Sequence, residues 1–344
     1  MAPSEGTRMN WQGRKVLVTG GVGFLGAHLC KALVDLGADV VAADRVTDSP
    51  TLRVLGVTAP VILRNCASVG NMLYTLKEYR PTVIYHLAGQ SHIAASQADP
   101  AKAFAMNVVG AYGVLEACRL YRDGGGVLDA VVLSSSNHVF GSLGSIADRP
   151  RAPFRESDAL LPADMYGATK GCADLLARAY VSFGLPIVAL RHLNAFGEAD
   201  IHAAHLVTAT MLSLLAGERP VIRSDGTPVK GYLYVGDLIA AYVAAAGIAR
   251  EHPGPYNIGS VVEVRSVLAL VEACIQAAGV DIVPDVRSED LTQAGYVEML
   301  NDRAFRSLTG WVPRVPLPEG LRRTYAWYKQ HDGMAWVSTS GEGR

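Results

Sequence analysis

Uninterrupted apolar runs alternate with amphipathic stretches along the first half of this chain. Val16 to Val18 shows no change between polar and apolar positions, which suits a parallel strand covered on both faces. ADVVAAD ending at Asp44, VILRN from Val61, TVIYHLAG from Thr82, AVVLSSS from Ala130 and PIVALRHL from Pro186 read the same way. Between the first two runs, Phe24, Leu25, His28, Leu29, Ala32, Leu33 and Leu36 recur at helical spacing, and Gly37 supplies a stop. Further helices are expected near 68–79, 100–122 and 163–183. This rhythm predicts an α/β fold, a Rossmann-like doubly wound parallel sheet.

Beyond about residue 195 the pattern turns irregular, with a helix around 205–217, the turn SDGTP, a short strand GYLYV, a helix over 236–249 and the segment YNIGS. Residues 301–330 read as a helix, the turn GWVPRVPL and a last amphipathic helix from Pro318. The expected division is a sheet domain over 1–195 with parts of 231–262, and a smaller lobe from 196–230 and 263–344, with residues 1–10 as a loose leader.

Composition narrows the class. Half of the 344 residues are hydrophobic and mean hydropathy is +0.20, as in a compact globular protein with ample sequence for a core. A net charge of −1 with acids and bases mixed along the chain argues against a nucleic-acid surface or a polybasic membrane patch. The five cysteines are scattered without CxxC, which reads as reduced thiols in a cytoplasmic protein. No signal-peptide pattern and no apolar run of about 18 residues is visible, so neither export nor membrane insertion is expected.

The candidate chemistry begins at the first glycine turn. Gly20, Gly23 and Gly26 give GxxGxxG, while Gly21, Gly23 and Gly26 also satisfy GxGxxG. Glycines there permit a tight turn and let a pyrophosphate approach the N–H groups at the start of the next helix. Asp44 ends the second strand 18 residues after Gly26, where a carboxylate accepts from adenosine ribose hydroxyls and repels a 2′-phosphate. Neighbouring Arg45 is the one group able to reverse that preference, and the expected cofactor is NAD.

In an open parallel sheet, ligands lie beyond the carboxyl ends of the strands. Three of those ends are polar or glycine-rich here: His86 to His92, Ser134 to Gly141, and the segment Tyr166-Gly167-Ala168-Thr169-Lys170. Tyrosine and lysine four apart share a helix face. Turning a phenol that titrates near ~10 into a base at neutral pH requires about 4 kcal/mol. One cation at ~5 Å in an effective dielectric of ~20 supplies roughly 3 kcal/mol, and a positively charged nicotinamide can supply the rest.

With TGGVGFLG, HLAG, SSSNHVFG and YGATK in this order, the chain resembles the extended short-chain dehydrogenases/reductases, the NAD-dependent nucleotide-sugar epimerases and dehydratases. LRHLNAFG, SDGTPVKGYLYVGD, YNIGS and LTGWVPRVPLPEGLRRTYAWY are similar to later segments of that family, so the resemblance covers nearly the whole length. It implies that Ser136 hydrogen-bonds the substrate hydroxyl, that Tyr166 takes its proton, and that Lys170 lowers the tyrosine pKa while holding the nicotinamide ribose. The implied cofactor contacts are Gly20, Gly23, Phe24, Leu25, Gly26, Asp44, Arg45, Asn65, Cys66, Leu87, Ala88, Gly89, Asn107, Tyr166, Lys170 and His192. Gln90, Ser91, His92, Ser136, Asn194 and Lys230 are the implied substrate contacts, Asn194 toward the diphosphate.

Departures from the family pattern set the open question. Dehydratases of this family carry an acid pair or Asp-Lys after the catalytic Ser/Thr, whereas this chain has Asn137 and His138. An amide cannot act as a general acid, so a standard 4,6-elimination lacks one partner. His138 can replace the base, since an imidazole suits that task; the alternative is a structural histidine. Lys230-Gly231 replaces the usual Arg-Asp, trading a bidentate phosphate fork for a point charge. Asn65 stands at the usual adenine-contacting aspartate. His202 and His205 lack a third ligand, and no metal site is expected.

The resulting expectation is an enzyme that oxidises a nucleotide-sugar hydroxyl, at carbon 4, by hydride transfer to NAD. Re-reduction on the opposite face, giving a 4-epimerase, comes first; dehydration with His138 as base and simple dehydrogenation are the alternatives, ahead of a non-catalytic NAD-sensing protein. The resemblance also implies a homodimer built from the helices at 100–122 and 166–183, with Ala103, Ala111, Val114, Leu115 and Cys118 as its face or as intrachain packing.

Overall fold

The computed structural model describes residues 9–142, 153–259, 264–290 and 296–331; most of the leader expected at 1–10 lies outside them. Strands are β1 (Lys15–Thr19), β2 (Asp39–Asp44), β3 (Val61–Leu63), β4 (Val83–His86), β5 (Ala130–Ser134), β6 (Ile187–His192), β7 (Asn194–Phe196), β8 (Val221–Ile222), β9 (Val229–Tyr234), β10 (Gly254–Ile258), β11 (Val264–Ser266) and β12 (Asp285–Val286). Helices are α1 (Phe24–Asp35), α2 (Pro50–Leu55), α3 (Val69–Tyr79), α4 (Ile93–Ala98), α5 (Pro100–Phe104), α6 (Gly110–Asp123), α7 (Met165–Val181), α8 (Leu206–Leu215), α9 (Val235–Ile248), α10 (Val267–Ala278), α11 (Arg303–Thr309) and α12 (Leu317–Gln330).

Among the described residues, seven strands form one parallel sheet in the order β3-β2-β1-β4-β5-β6-β10. The unbroken apolar runs follow from burial on both sides. Val16, Val18, Val40 and Tyr85 point into a core shared with α1, α9 and α11, while Leu17, Val41 and Ile84 point into one shared with α3, α6 and α7. The chain leaves β1 in one direction through β2 and β3, then resumes at β4 on the other side. That reversal splays the loops after β1 and β4 and opens the crevice where such sheets take ligands.

The helix expected near 100–122 is α5 and α6 joined by a π-turn at Ala105–Val109. Ala111, Val114, Leu115 and Cys118 are spent in the core beneath this helix, and Ala103 is buried as well, which removes them as a surface for a second chain. Phe104, Tyr112 and Leu175 face outward instead. Gly113 belongs to the same packing, because a Cβ there would lie 2.0 Å from the Cys66 carbonyl oxygen.

The smaller lobe is built on β7, β9 and β11, the β8–β12 pair, and helices α8, α10 and α12. Helix α10 was legible but not anticipated: Val267, Leu270, Val271, Cys274 and Ile275 recur at helical spacing and Ser266 caps it, accepting from Ala269 N. Part of the segment expected in the lobe sits elsewhere. Phe305 and Trp311 join the sheet core beside α9, with Trp311 Nε1 donating to Asp237 O at 3.0 Å.

Candidate active site

The glycine turn is shaped by close approach. Gly20 has φ +75°, and a Cβ on it would meet Ala88 N at 2.5 Å; a Cβ on Gly26 would lie 2.0 Å from Gly20 O. The loop is thus pressed between α1 and the end of β4. Gly23 caps α1 without a side chain, leaving the first N–H groups of the helix to an anion. Phe24 is buried with its ring edge-on to His28, and Leu25 packs against the core, so both brace the first turn of α1. At the end of β2, Asp44 accepts from Val22 N (3.4 Å) and Arg45 N (2.7 Å), and burial pushes its carboxyl up from the ordinary range. Arg45 is exposed and its guanidinium reaches Met106 Sδ at 3.8 Å.

Beyond β4, Leu87 N donates to Thr19 O, and the following loop is clamped by Asn107 from the π-turn. Its Oδ1 accepts from Gln90 N (2.8 Å), and its Nδ2 donates to Gln90 O (3.1 Å) and Thr169 Oγ1 (2.8 Å). A Cβ on Gly89 would lie 2.5 Å from Asn107 Oδ1 and 3.9 Å from Lys170 Nζ, so this loop runs directly beside the lysine. Asn65 is exposed and accepts from Ala67 N at 3.0 Å through Oδ1, and burial pushes the Cys66 thiol up to about 11.

Ser136 follows β5 and starts a single 3₁₀ turn over Asn137–Phe140, its Oγ accepting from His138 N at 3.2 Å. Asp164 caps α7, accepting from Gly167 N at 2.7 Å, and Gly167 is glycine because a Cβ would sit 2.5 Å from His138 O. Helix α7 therefore lies on the Ser136 turn. Burial pushes the Tyr166 phenol up to about 12, a rise opposed by its hydrogen bond with Ser136. Burial also pulls Lys170 down to about 8, and its ammonium donates to Ser134 O at 2.8 Å. His192 is half-buried and drawn down to about 4 by desolvation; its Nδ1 donates to Leu193 O at 2.8 Å.

Two supports escaped the sequence reading. Ser135 donates to Asp174 Oδ2 at 2.8 Å, and Arg191 grips the same carboxylate through Nε (2.9 Å) and Nη2 (2.7 Å), tying β5, β6 and α7 together directly beneath Ser136. Both members of the ion pair are fully buried, where loss of one partner strands a charge. The second support is Glu298, a side chain 1% exposed. His138 Nδ1 meets Asp164 Oδ2 at 3.0 Å, and its Nε2 faces Glu298 Oε1 at 3.4 Å. Glu298 Oε2 accepts from Asn194 Nδ2 at 2.9 Å; the same amide also donates to Gly231 O at 3.2 Å. Lys230 Nζ lies 5.7 Å from the Tyr296 ring centre, and Tyr296 stacks on His138 at 5.9 Å. Asp164 was legible as an acid opening a helix, whereas Glu298 was one acid in an apolar stretch with no local signal.

The structure thus brings Ser136, Asn137, His138, Tyr166, Lys170, His192, Asn194 and Lys230 to one end of the sheet. Gln90, Ser91 and His92 follow β4, with Gln90 Oε1 accepting from His92 N at 3.2 Å. Asp200 accepts from the backbone N–H of His202 (3.2 Å) and holds His205 through Nδ1 (2.7 Å), and His92 stacks on His205.

Residues 16–259 match the NAD dependent epimerase/dehydratase family. The chain belongs to that family. Similar proteins include the dTDP-glucose 4,6-dehydratase of Neisseria meningitidis serogroup B, 29% identical, with 94% of this chain and 95% of that protein covered. The UDP-glucose 4-epimerase of Mycolicibacterium smegmatis is also 29% identical, over 92% of this chain and 98% of that protein. The chain spans about half (49%) of an Arabidopsis thaliana trifunctional protein named as a UDP-glucose 4,6-dehydratase, 3,5-epimerase and reductase, at 27% identity over 95% of this chain. Among solved structures, UDP-glucose 4-epimerase from Thermotoga maritima superposes with a TM-score of 0.82 at 25% identity, covering 92% of this chain and 99% of that one.

The family's NAD fits this epimerase/dehydratase on the cradle itself. The turn is packed so closely on its own backbone at Gly20 and Gly26 that it carries no side chains there, the N-terminus of α1 has no capping side chain, and Asp44 stands at the end of β2 as an acceptor.

Proposed function

We propose that the enzyme is a 4-epimerase of a nucleoside diphosphate sugar, working through a carbon-4 ketone. NAD, when bound, accepts the carbon-4 hydride and returns it. Ser136 is read as the hydrogen-bond partner of the sugar hydroxyl and Tyr166 as the group that takes its proton. From about 12, bringing the phenol to neutral pH requires about 7 kcal/mol of preference for phenolate. Lys170, four residues on along α7, contributes roughly 3 kcal/mol at ~5 Å and an effective dielectric of ~20. A nicotinamide cation held beside Lys170 would supply the remainder. Neutral His192 adds no competing charge, and Lys230 offers one ammonium to the diphosphate. Gly20, Gly23, Gly26, Asp44 and the Leu87–Gly89 loop hold the cofactor in this reading.

The observation that carries epimerisation over elimination is the place of His138 between two carboxylates, its Nδ1 hydrogen-bonded to Asp164 at 3.0 Å and its Nε2 facing Glu298 Oε1 from 3.4 Å. A base needs a free lone pair, and Asn137, where an acid would stand, has no acidic proton to give. A keto sugar needs neither group if it only rotates and is reduced on its other face. Dehydration is the second reading, supported by the 4,6-dehydratase relative.

The test is incubation of the NAD-loaded enzyme with UDP-, dTDP-, CDP- and GDP-hexoses, followed by mass spectrometry and NMR. An isomer of unchanged mass is expected. Loss of 18 mass units would establish dehydration, and loss of two would establish net oxidation.

A further inference from the structure

Glu298 is held more firmly than a surface-derived acid would be. Its N–H donates to Val229 O at 3.0 Å and Val229 N donates to Tyr296 O at 2.8 Å, so residues 296–298 pair with the start of β9. Asn194 on β7 fixes Oε2 at 2.9 Å. That leaves Oε1, buried and without a hydrogen-bond partner among the described residues, aimed at His138 Nε2 from 3.4 Å. A buried polar atom of this kind is costly, and the imidazole 3.4 Å away is the group placed against it.

His138 is fixed from its other sides as well. Asp164 takes Nδ1 at 3.0 Å, Tyr296 stacks on one face, and the Tyr166 ring lies edge-on with centres 5.5 Å apart. An ionised carboxylate only accepts, so Nδ1 carries a proton toward Asp164. Nε2 faces Glu298 Oε1 from 3.4 Å, so the carboxylate stands where a C–H would have to approach that nitrogen. Without Glu298, the Asp164–His138 pair has the form of an oriented general base, a carboxylate holding one ring nitrogen while the other is free to accept.

We propose that Glu298 decides the outcome of the reaction: by occupying Nε2 of His138, it keeps the imidazole from taking the carbon-5 proton of the 4-keto sugar. The inference rests on the carbon-4 oxidation proposed above. Carbon 5 of such a ketone is acidic because it adjoins the carbonyl. A base that removes its proton leaves the C–H electron pair as an enolate on the carbon-4 oxygen, and solvent returns a proton to carbon 5. Departure of the carbon-6 hydroxyl, with a proton, as water would complete an elimination. Glu298 is a positioning residue in this scheme, acting on the sugar only through His138.

The experiment incubates the NAD-loaded enzyme in deuterium oxide with the nucleotide hexose it turns over in the panel above, and measures deuterium at carbon 5 by NMR. Wild type should give epimer without carbon-5 deuterium. Glu298→Leu should raise incorporation by a factor on the order of 10², the usual contribution of a general base, and Glu298→Leu combined with His138→Gln should abolish it. Should Glu298→Leu fail to bind NAD, Glu298→Ala makes the same comparison. Absence of exchange in a Glu298 variant that still reduces its bound NAD on sugar overturns the inference, as does carbon-5 deuterium in an epimer made by wild type. Loss of water by wild type overturns the epimerase reading instead.

Discussion

Tyr166 and Lys170 show how burial raises the demands on a catalytic pair. Tyr166→Phe removes only the proton-transfer group, so turnover should fall by a factor on the order of 10² to 10⁴ while NAD binding and the folded state persist, as read by stopped-flow assay and circular dichroism. Lys170 carries a stability cost of definite sign. Its folded value of about 8 lies below its unfolded value near 10.5, so the unfolded chain binds more protons between those limits. Stability of the NAD-free protein should therefore rise from pH 8 to 10.5, relieving a penalty of about 3 kcal/mol that is fully present below pH 8. Lys170→Met should lift that penalty but strand the Ser134 carbonyl for about 1 kcal/mol, leaving an inactive protein about 2 kcal/mol more stable at pH 7 in urea unfolding. A variant less stable than wild type at pH 7 would show that the ammonium's bond outweighs its desolvation.

Helix α1 and the turn before it hold together through backbone contacts that no side chain can enter. Gly26→Ala places a Cβ 2.0 Å from the Gly20 carbonyl, and backbone on both sides prevents a local adjustment. The turn must shift away from α1, where Ala88 already closes on it, and NAD affinity should drop tenfold or more, about 1.4 kcal/mol. Calorimetric titration checks this, and unchanged affinity would detach the glycine spacing from cofactor binding. Helix α7 works differently, since Asp164 both caps it and holds His138, so one carboxylate sets the height of Tyr166 and the orientation of the imidazole.

Over the whole molecule, the 296–298 segment faces the turn that follows β5, with Val297 N donating to Ser142 Oγ at 3.0 Å and Glu298 set against His138. The outer surface of α5 to α7 exposes Phe104 (46%), Tyr112 (42%) and Leu175 (52%), an apolar face of the kind that a second chain covers. A homodimer through this face predicts that Tyr112→Glu with Leu175→Glu yields monomer in sedimentation velocity, with the sheet core intact by circular dichroism. Wild type sedimenting as monomer at micromolar concentration would remove the dimer.

The sequence by itself determined the sheet, its glycine turn, Asp44 at the end of β2, and the Tyr166–Lys170 pair, because each is encoded over a short span: burial on both faces demands continuous apolar runs, and a helix brings residues four apart together. Helix α10 was equally local and could have been read from its spacing. Tertiary structure alone decided the rest. Ala111, Val114 and Cys118 present the same small apolar face whether they meet a partner chain or their own sheet, and only the packing of α6 placed them inside. The Ser135–Asp174–Arg191 brace and the meeting of His138 with Glu298 join residues 17 to 160 positions apart, through side chains whose types carry no mark of their partners. Such contacts depend on how distant segments pack together, and the most specific feature of this pocket, a buried carboxylate against a histidine, exists only once they have.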